Sequence, residues 1–346
     1  WEFYLDDTTN NQELDEIRNH CSSLTPEDIS FIDPCMGSGH ILAYAFDVLM
    51  QIYESYGYSS GEAVESILKN NIYGLDIDER STQLAYFEIM MKARQYDRRF
   101  FNRNLQPKLY RIVDSDTIDS ACLNYFVDEN STLKSEMDKL CVCMKNAQEF
   151  GSIIQVKNID FEMLYSRISK IKGEINLFAE TTISQVLPFI QAAELLSRRY
   201  EIVISNPPYM ATKYMTPNLK DLISKQYADY KADLFATFII RFSKMCKESG
   251  HIGVLTPYVW MFIQSYEKLR EYIYQNMTFS SIVQLEFNAF EAACVPVAMF
   301  TFRNKPMNIP FECIRLSEFK GIDIQEPKTL AAIKDKNCGY RYTAYQ

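Results

Sequence analysis

The sequence predicts an α/β fold: a mostly parallel, doubly wound sheet of seven strands, interrupted by a helical insertion. Three observations predict it. Short β-type runs alternate with segments of helical periodicity, the pattern of a sheet with helices on its faces. A strand at 29–33 passes through the turn Gly37-Ser38-Gly39 into an apolar helix. A second strand, at 201–205, runs directly into Asn206-Pro207-Pro208-Tyr209.

In chain order, residues 1–30 read as a helical N-terminal remnant. Residues 31–119 form a first half, with strands at 29–33, 72–76 and 109–113 and helices at 39–55 and 79–98. The stretch 120–200 exceeds a minimal unit and reads as an insertion between the third and fourth strands. Its helices are expected at 133–150, 161–171 and 178–199, around a short β segment at 152–156. Residues 201–305 form the second half, with strands at 201–205, 251–256, 280–285 and 295–302 and helices at 232–247 and 258–275. The last two strands are expected to pair like a hairpin, the seventh running antiparallel. The more polar segment 306–346 reads as an exit toward another domain.

Bulk properties narrow the function. The 346 residues are 47% hydrophobic and 23% charged, which suits a globular chain with a substantial core. No apolar run of about 18 residues appears, so no membrane span is expected. The start, Trp1-Glu2-Phe3-Tyr4, has no signal-peptide pattern and reads as the edge of a cut fragment. Nine cysteines fall singly apart from Cys141-Val142-Cys143, and there are three histidines, so no zinc site is expected. Irregular cysteine spacing in a chain of this length fits reduced thiols in the cytoplasm. The net charge of −9 argues against a simple basic nucleic-acid binder, although a local basic face or a separate domain can supply phosphate contacts.

The turn after the first strand, Asp33-Pro34-Cys35-Met36-Gly37-Ser38-Gly39, sits where open α/β sheets bind ligands. Its glycines permit close approach of backbone to ligand, making Asp33, Pro34, Gly37, Ser38 and Gly39 cofactor candidates. The second strand ends at Asp76, whose carboxylate can accept from both hydroxyls of a ribose, while Asp78 is assigned as cap of the helix beginning near Glu79. The spacing between turn and acid is wider than the roughly 20 residues of a dinucleotide fingerprint. After the third strand, one of Asp114 and Asp116 is a candidate acceptor for a cofactor adenine amino group; a solvated turn is the competing reading.

Asn206-Pro207-Pro208-Tyr209 is the most specific string. Its prolines stiffen the turn and remove two N–H donors. What remains is a rim of acceptors, the Asn206 side-chain oxygen and the Pro207 carbonyl, suited to both hydrogens of an –NH2 group. Holding them so turns the nitrogen lone pair out of ring conjugation and toward a methyl sulfonium. Tyr209 can stack on a base taken out of the duplex. Phe290 can cover the opposite face of that base or belong to the core. A cysteine nucleophile at Cys35 is rejected, because it lies in the cofactor turn and not after the fourth strand. The donor implied is S-adenosylmethionine, and the fold expected is the class I S-adenosylmethionine-dependent methyltransferase fold.

The order Asp33–Gly39, Asp76, Asn206–Tyr209 resembles amino-methyltransferases of the γ arrangement. Finer strings, 33–42, 86–100, Ala232-Asp233-Leu234-Phe235-Ala236 and 311–328, resemble PglX-type adenine-specific methyltransferases of bacterial BREX phage-defence systems. The resemblance spans nearly the whole chain. It implies adenine-N6 methylation within a short site in double-stranded DNA, as self-marking in the bacterial cytoplasm, with other phage-defence proteins as partners. It implies that Asp33, Gly37 and Gly39 line the cofactor, that Asp76 holds ribose, and that Asp233 and Phe235 shape the cofactor and target pockets. It also places Phe290 as the base-stacking residue. The family's motif ahead of the first strand has no match in residues 1–28, and a target-recognition domain is expected to follow residue 346. Alternatives are the methyltransferase region of a fused restriction-modification enzyme, a protein-glutamine or RNA amino-methyltransferase, and a non-catalytic cofactor-binding scaffold.

Overall fold

A computed structural model describes residues 21–174, 176–287 and 295–346, together with Asp15, Arg18 and Asn19. The chain divides into two compact units, one spanning Ser30–Arg199 and the other Tyr200–Gln346 with the residues up to Ile29.

In the Ser30–Arg199 unit, strands β1 (Phe31–Asp33), β2 (Ile72–Asp76) and β3 (Lys108–Arg111) lie parallel, with β2 central. Parallel strands need crossovers, and helices supply them. Helix α1 (His40–Ser55) follows β1 and buries Leu42, Phe46, Leu49 and Tyr53 at helical spacing. A short α2 (Ser60–Ser66) then leads through a single π-turn into β2. Helix α3 (Glu79–Tyr96) connects β2 to β3 and buries Ala85, Ile89 and Ala93 one above another. Lys92 and Tyr96 of α3 both reach Asp47 of α1, at 2.7 and 2.8 Å, and fasten the two helices side by side.

The insertion follows as α4 (Ser120–Val127), α5 (Ser131–Cys143), α6 (Ala147–Phe150), α7 (Phe161–Lys172) and α8 (Leu177–Ser197). Asn130, Asp160 and Asn176 cap three of these helices by accepting backbone N–H groups, which satisfies donors that a helix start otherwise leaves open. The helix expected at 133–150 is two, because Asn146 takes a left-handed conformation (φ 55°) and breaks it. The β segment expected at 152–156 is not a strand. Residues Gly151–Ile153 form a 3-10 turn whose middle hydroxyl is spent on the Pro34 carbonyl.

In the second unit, β4 (Tyr200–Ser205) leads to α9 (Pro217–Gln226), α10 (Leu234–Met245) and β5 (Cys246–Pro257). Helix α11 (Glu267–Asn276) precedes β6 (Thr278–Gln284) and β7 (Val297–Arg303), then β8 (Pro310–Arg315), α12 (Ile322–Lys334) and β9 (Arg341–Tyr345). β4 and β5 are parallel, while β7 lies between β5 and β6 and runs antiparallel to both. That reversed strand bears out the expected class I methyltransferase arrangement. Helix α10 is buried along nearly its whole length, Thr237, Arg241 and Ser243 included. The helix expected over 258–275 opens as two 3-10 turns before α11 begins at Glu267.

Residues 306–346, read as an exit segment, extend this sheet. β8 pairs parallel with β6, and β9 antiparallel with β8. Arg341 ion-pairs with Glu312 at 2.7 Å and donates to the Ala332 and Ile333 carbonyls at the end of α12. Ala332 and Leu316 join Val283, Leu285, Val297 and Ile314 in one apolar cluster. A polar composition hid these elements because an edge sheet buries only one side of each strand. The N-terminal remnant falls largely outside the described residues. Every cysteine among the described residues is free, and no helix among them is long and apolar enough to cross a membrane.

Candidate active site

The cofactor candidates gather at the carboxyl ends of β1, β2 and β3. Asp33 is completely buried, and its Oδ1 accepts the Cys35 N–H at 3.1 Å, so it shapes the turn from inside. Pro34 is buried as well, and its carbonyl accepts from the Ser152 hydroxyl. The Gly37 N–H donates to Asp76 Oδ2 at 2.9 Å, and the Asp78 N–H to Asp76 Oδ1 at 2.8 Å. Asp76 therefore ties the glycine turn to the end of β2 with both oxygens while remaining half-buried. Ser38 is half-buried in the same turn.

Gly39 caps α1 in a left-handed conformation (φ 90°), and a Cβ there would meet the Ala85 backbone at 2.9 Å. Only glycine meets both demands, which explains this residue after the strand. Asp78 caps α3, as assigned, accepting the Ser81 N–H at 2.7 Å; that bond holds its carboxyl below the usual range. Asp114 and Asp116 separate clearly. Asp114 Oδ1 accepts the Gln148 N–H at 2.7 Å, whereas Asp116 is exposed.

In the other unit, β4 delivers Asn206 and Pro208 to the surface, with Pro207 buried between them. The Tyr209 hydroxyl lies 2.7 Å from Asn206 Oδ1 and 3.0 Å from the Leu255 carbonyl, which its single proton must serve. Burial pushes the Tyr209 phenol well above its ordinary pKa, so this group is a donor and not a base. Its ring meets Phe235 edge-on, with centroids 6.2 Å apart, and Phe235 stacks on Tyr266 at 5.6 Å. An edge-on and a stacked contact hold Tyr209 from beneath and leave it 36% exposed.

Asp233 completes this cluster. Its Oδ1 accepts the Met210 N–H at 2.9 Å and the Phe235 N–H at 3.3 Å, so one oxygen caps α10 and clamps the loop after Tyr209. Burial raises its pKa, opposed by those backbone bonds. Asp233 and Phe235, expected to shape cofactor and target pockets, are thus brought together with Asn206 and Tyr209, and Phe235 is 1% exposed. Phe290 lies outside the described residues. Tyr266, Ser152 and Gln148 were not singled out in the sequence. Tyr266 lies within an expected helix with nothing to mark it, and the other two act through single hydrogen bonds from a distant insertion.

Residues 70–290 match the family model described as Eco57I restriction-modification methylase. The chain belongs to that family. Among curated proteins, it is 31% identical over its full length to the adenine-specific methyltransferase PglX of Lacticaseibacillus casei (strain Zhang), covering 29% of that protein. It is 34% identical over 78% of its length to the adenine-specific methyltransferase BrxX of Escherichia coli O9:H4 (strain HS), covering 24% of it. The chain thus spans about a quarter of the curated relatives it matches. Among solved structures, the ATP-dependent Type ISP restriction-modification enzyme LlaBIII bound to DNA shares the fold, with a TM-score of 0.57 at 11% identity over 95% of this chain and 20% of that one.

Proposed function

We propose that the chain is the catalytic core of an S-adenosylmethionine-dependent DNA methyltransferase acting on N6 of a flipped adenine, within a bacterial phage-defence system. The observation that carries this reading is Asn206 Oδ1, an exposed acceptor fixed at the end of β4 beside an aromatic ring braced from below. The PglX and BrxX relatives are named adenine-specific methyltransferases, which supports adenine as the target. Phage defence as the setting rests on the resemblance of the 33–42, 232–236 and 311–328 strings to PglX-type enzymes.

The residues of the β1–β3 ends fit the donor. Asp76 offers carboxylate oxygens for ribose, exposed Ile77 beside it offers an apolar surface for adenine, and the space over Gly37 is open. Bound S-adenosylmethionine supplies an electrophilic methyl group. The chain's own residues act on the amine. Asn206 Oδ1 and the Pro207 carbonyl accept its two hydrogens and turn its lone pair out of ring conjugation. Tyr209 stacks on the extruded base and, staying protonated, takes no proton from it. The amine becomes acidic once methylated, so release to Asn206 or solvent suffices. Phe290 is assigned to the base's other face. DNA-sequence reading is assigned to parts of the protein outside this chain, in keeping with its net charge of −9.

The test is Asn206→Ala in the full-length protein, with genomic N6-methyladenine as the readout. A loss of roughly 10²- to 10³-fold is expected for removing an acceptor of the reacting group. Unchanged methylation would sink the proposal.

A further inference from the structure

We propose that the segment Met144–Ile153 of the helical insertion is a wall of the methyl-donor site, so that the insertion serves adenosine binding. This rests on the donor reading above. Ligands of open α/β sheets lie just outside the carboxyl ends of the strands. This one segment reaches the loops after all three strands of its unit.

At the β1 end, Ser152, 1% exposed, donates its hydroxyl to the Pro34 carbonyl in the turn that opens Pro34–Gly39. At the β2 end, Gly151 passes over Ile77, the residue after Asp76; a Cβ on Gly151 would sit 3.4 Å from Ile77 Cγ2. Its φ of 59° with ψ of −150° is a conformation that side-chain-bearing residues avoid. At the β3 end, the Gln148 N–H fixes Asp114 Oδ1 at 2.7 Å, and Ser115 N–H donates to the Met144 carbonyl at 3.3 Å.

An insertion that merely packed against the sheet would bury apolar faces, as α7 does with Leu164, Ile168 and Ile171. Segment 144–153 buries Met144, Ala147 and Ile153 in the same way, but it also spends polar groups on the loops at the strand ends. Ser152, Gly151 and Gln148 are therefore positioning residues. Ser152 sets the glycine turn, Gly151 allows close approach beside the ribose carboxylate, and Gln148 fixes the direction of Asp114 toward an adenine edge.

Hydrogen–deuterium exchange of the full-length protein with and without S-adenosylhomocysteine tests the assignment. Backbone amides of 144–153 are expected to slow at least fivefold, together with those of 35–39. Protection of 35–39 without 144–153 overturns the inference and leaves the donor reading standing; protection of neither overturns both. In parallel, Ser152→Ala, with its melting temperature unchanged, is expected to weaken S-adenosylhomocysteine binding five- to twentyfold by calorimetry. Unchanged affinity in that variant also overturns the inference.

Discussion

Tyr209 Oη sits 2.7 Å from Asn206 Oδ1, so the acceptor at the tip of β4 is already engaged by a hydroxyl three residues further on. A target amine can take the second lone pair of the Asn206 oxygen or displace that hydroxyl. The Leu255 carbonyl, 3.0 Å from the same hydroxyl, stands ready to receive the displaced proton donor. The exchange costs little, because the tyrosine keeps a hydrogen bond throughout.

Two variants separate ring from hydroxyl in the full-length protein. Tyr209→Phe keeps the stacking face and removes only the competitor for Asn206, and its kcat/KM is expected within about fivefold of wild type, the worth of one neutral hydrogen bond. Tyr209→Ala loses a stack worth about 1–3 kcal/mol, or roughly 5- to 150-fold. Steady-state methylation and 2-aminopurine fluorescence at the target position report both. Equal losses in the two variants would show that the hydroxyl, and not the ring, is what matters.

Asp233 Oδ1 serves the Met210 and Phe235 N–H groups together. Asp233→Ala removes a helix cap worth about 1 kcal/mol and is expected to lower melting by roughly 2–4 °C. It also unclamps the loop behind Tyr209, so kcat is expected to fall further than stability alone explains. Asp233→Asn retains a side-chain acceptor and is expected to restore most of both. An alanine variant with unaltered kcat would refute the clamp.

Gly39→Ala puts a Cβ 2.9 Å from the Ala85 backbone in a left-handed residue. The expected cost is about 1–3 kcal/mol. Thermal melting should fall accordingly, and S-adenosylhomocysteine binding should weaken as the turn shifts. Gly37, also left-handed but with open space at its Cβ position, is expected to tolerate alanine better in melting. The reverse ranking would contradict this geometry.

His251 carries a pH dependence. Burial, reinforced by Arg303, pushes its pKa down from 6.5 to about 4. The imidazole is neutral in the folded chain down to about pH 4, while the unfolded chain takes up a proton below about 6.5. The unfolded state therefore binds more protons between those values, and stability from this group is complete above pH 6.5 and lost as pH falls toward 4. Urea unfolding of wild type and His251→Gln at pH 7.5 and pH 5 should show a smaller acid loss in the variant. Identical losses would rule His251 out as the source.

Much of this protein was legible in its sequence, because the relevant signals are local. Alternating strand and helix periodicity located β1 to β7, and a diproline after an apolar strand marked Asn206–Tyr209. Likewise, an aspartate ahead of a helical run named Asp78 as a cap. What only the tertiary structure decided depends on partners far apart in the chain. The segment at 152–156 has strand composition but no strand to pair with, so it became a turn anchored on Pro34, 118 residues away from Ser152. The polar tail became sheet because β6 offered an edge for β8. Asp114 was separated from Asp116 by one insertion N–H, and Asp233 was bound to the loop after Tyr209 by a single shared oxygen. Periodicity reports which face of an element is buried, and short motifs report local chemistry. A hydrogen bond between distant loops leaves no trace in either, so the placement of site residues relative to one another within each unit was set by the fold.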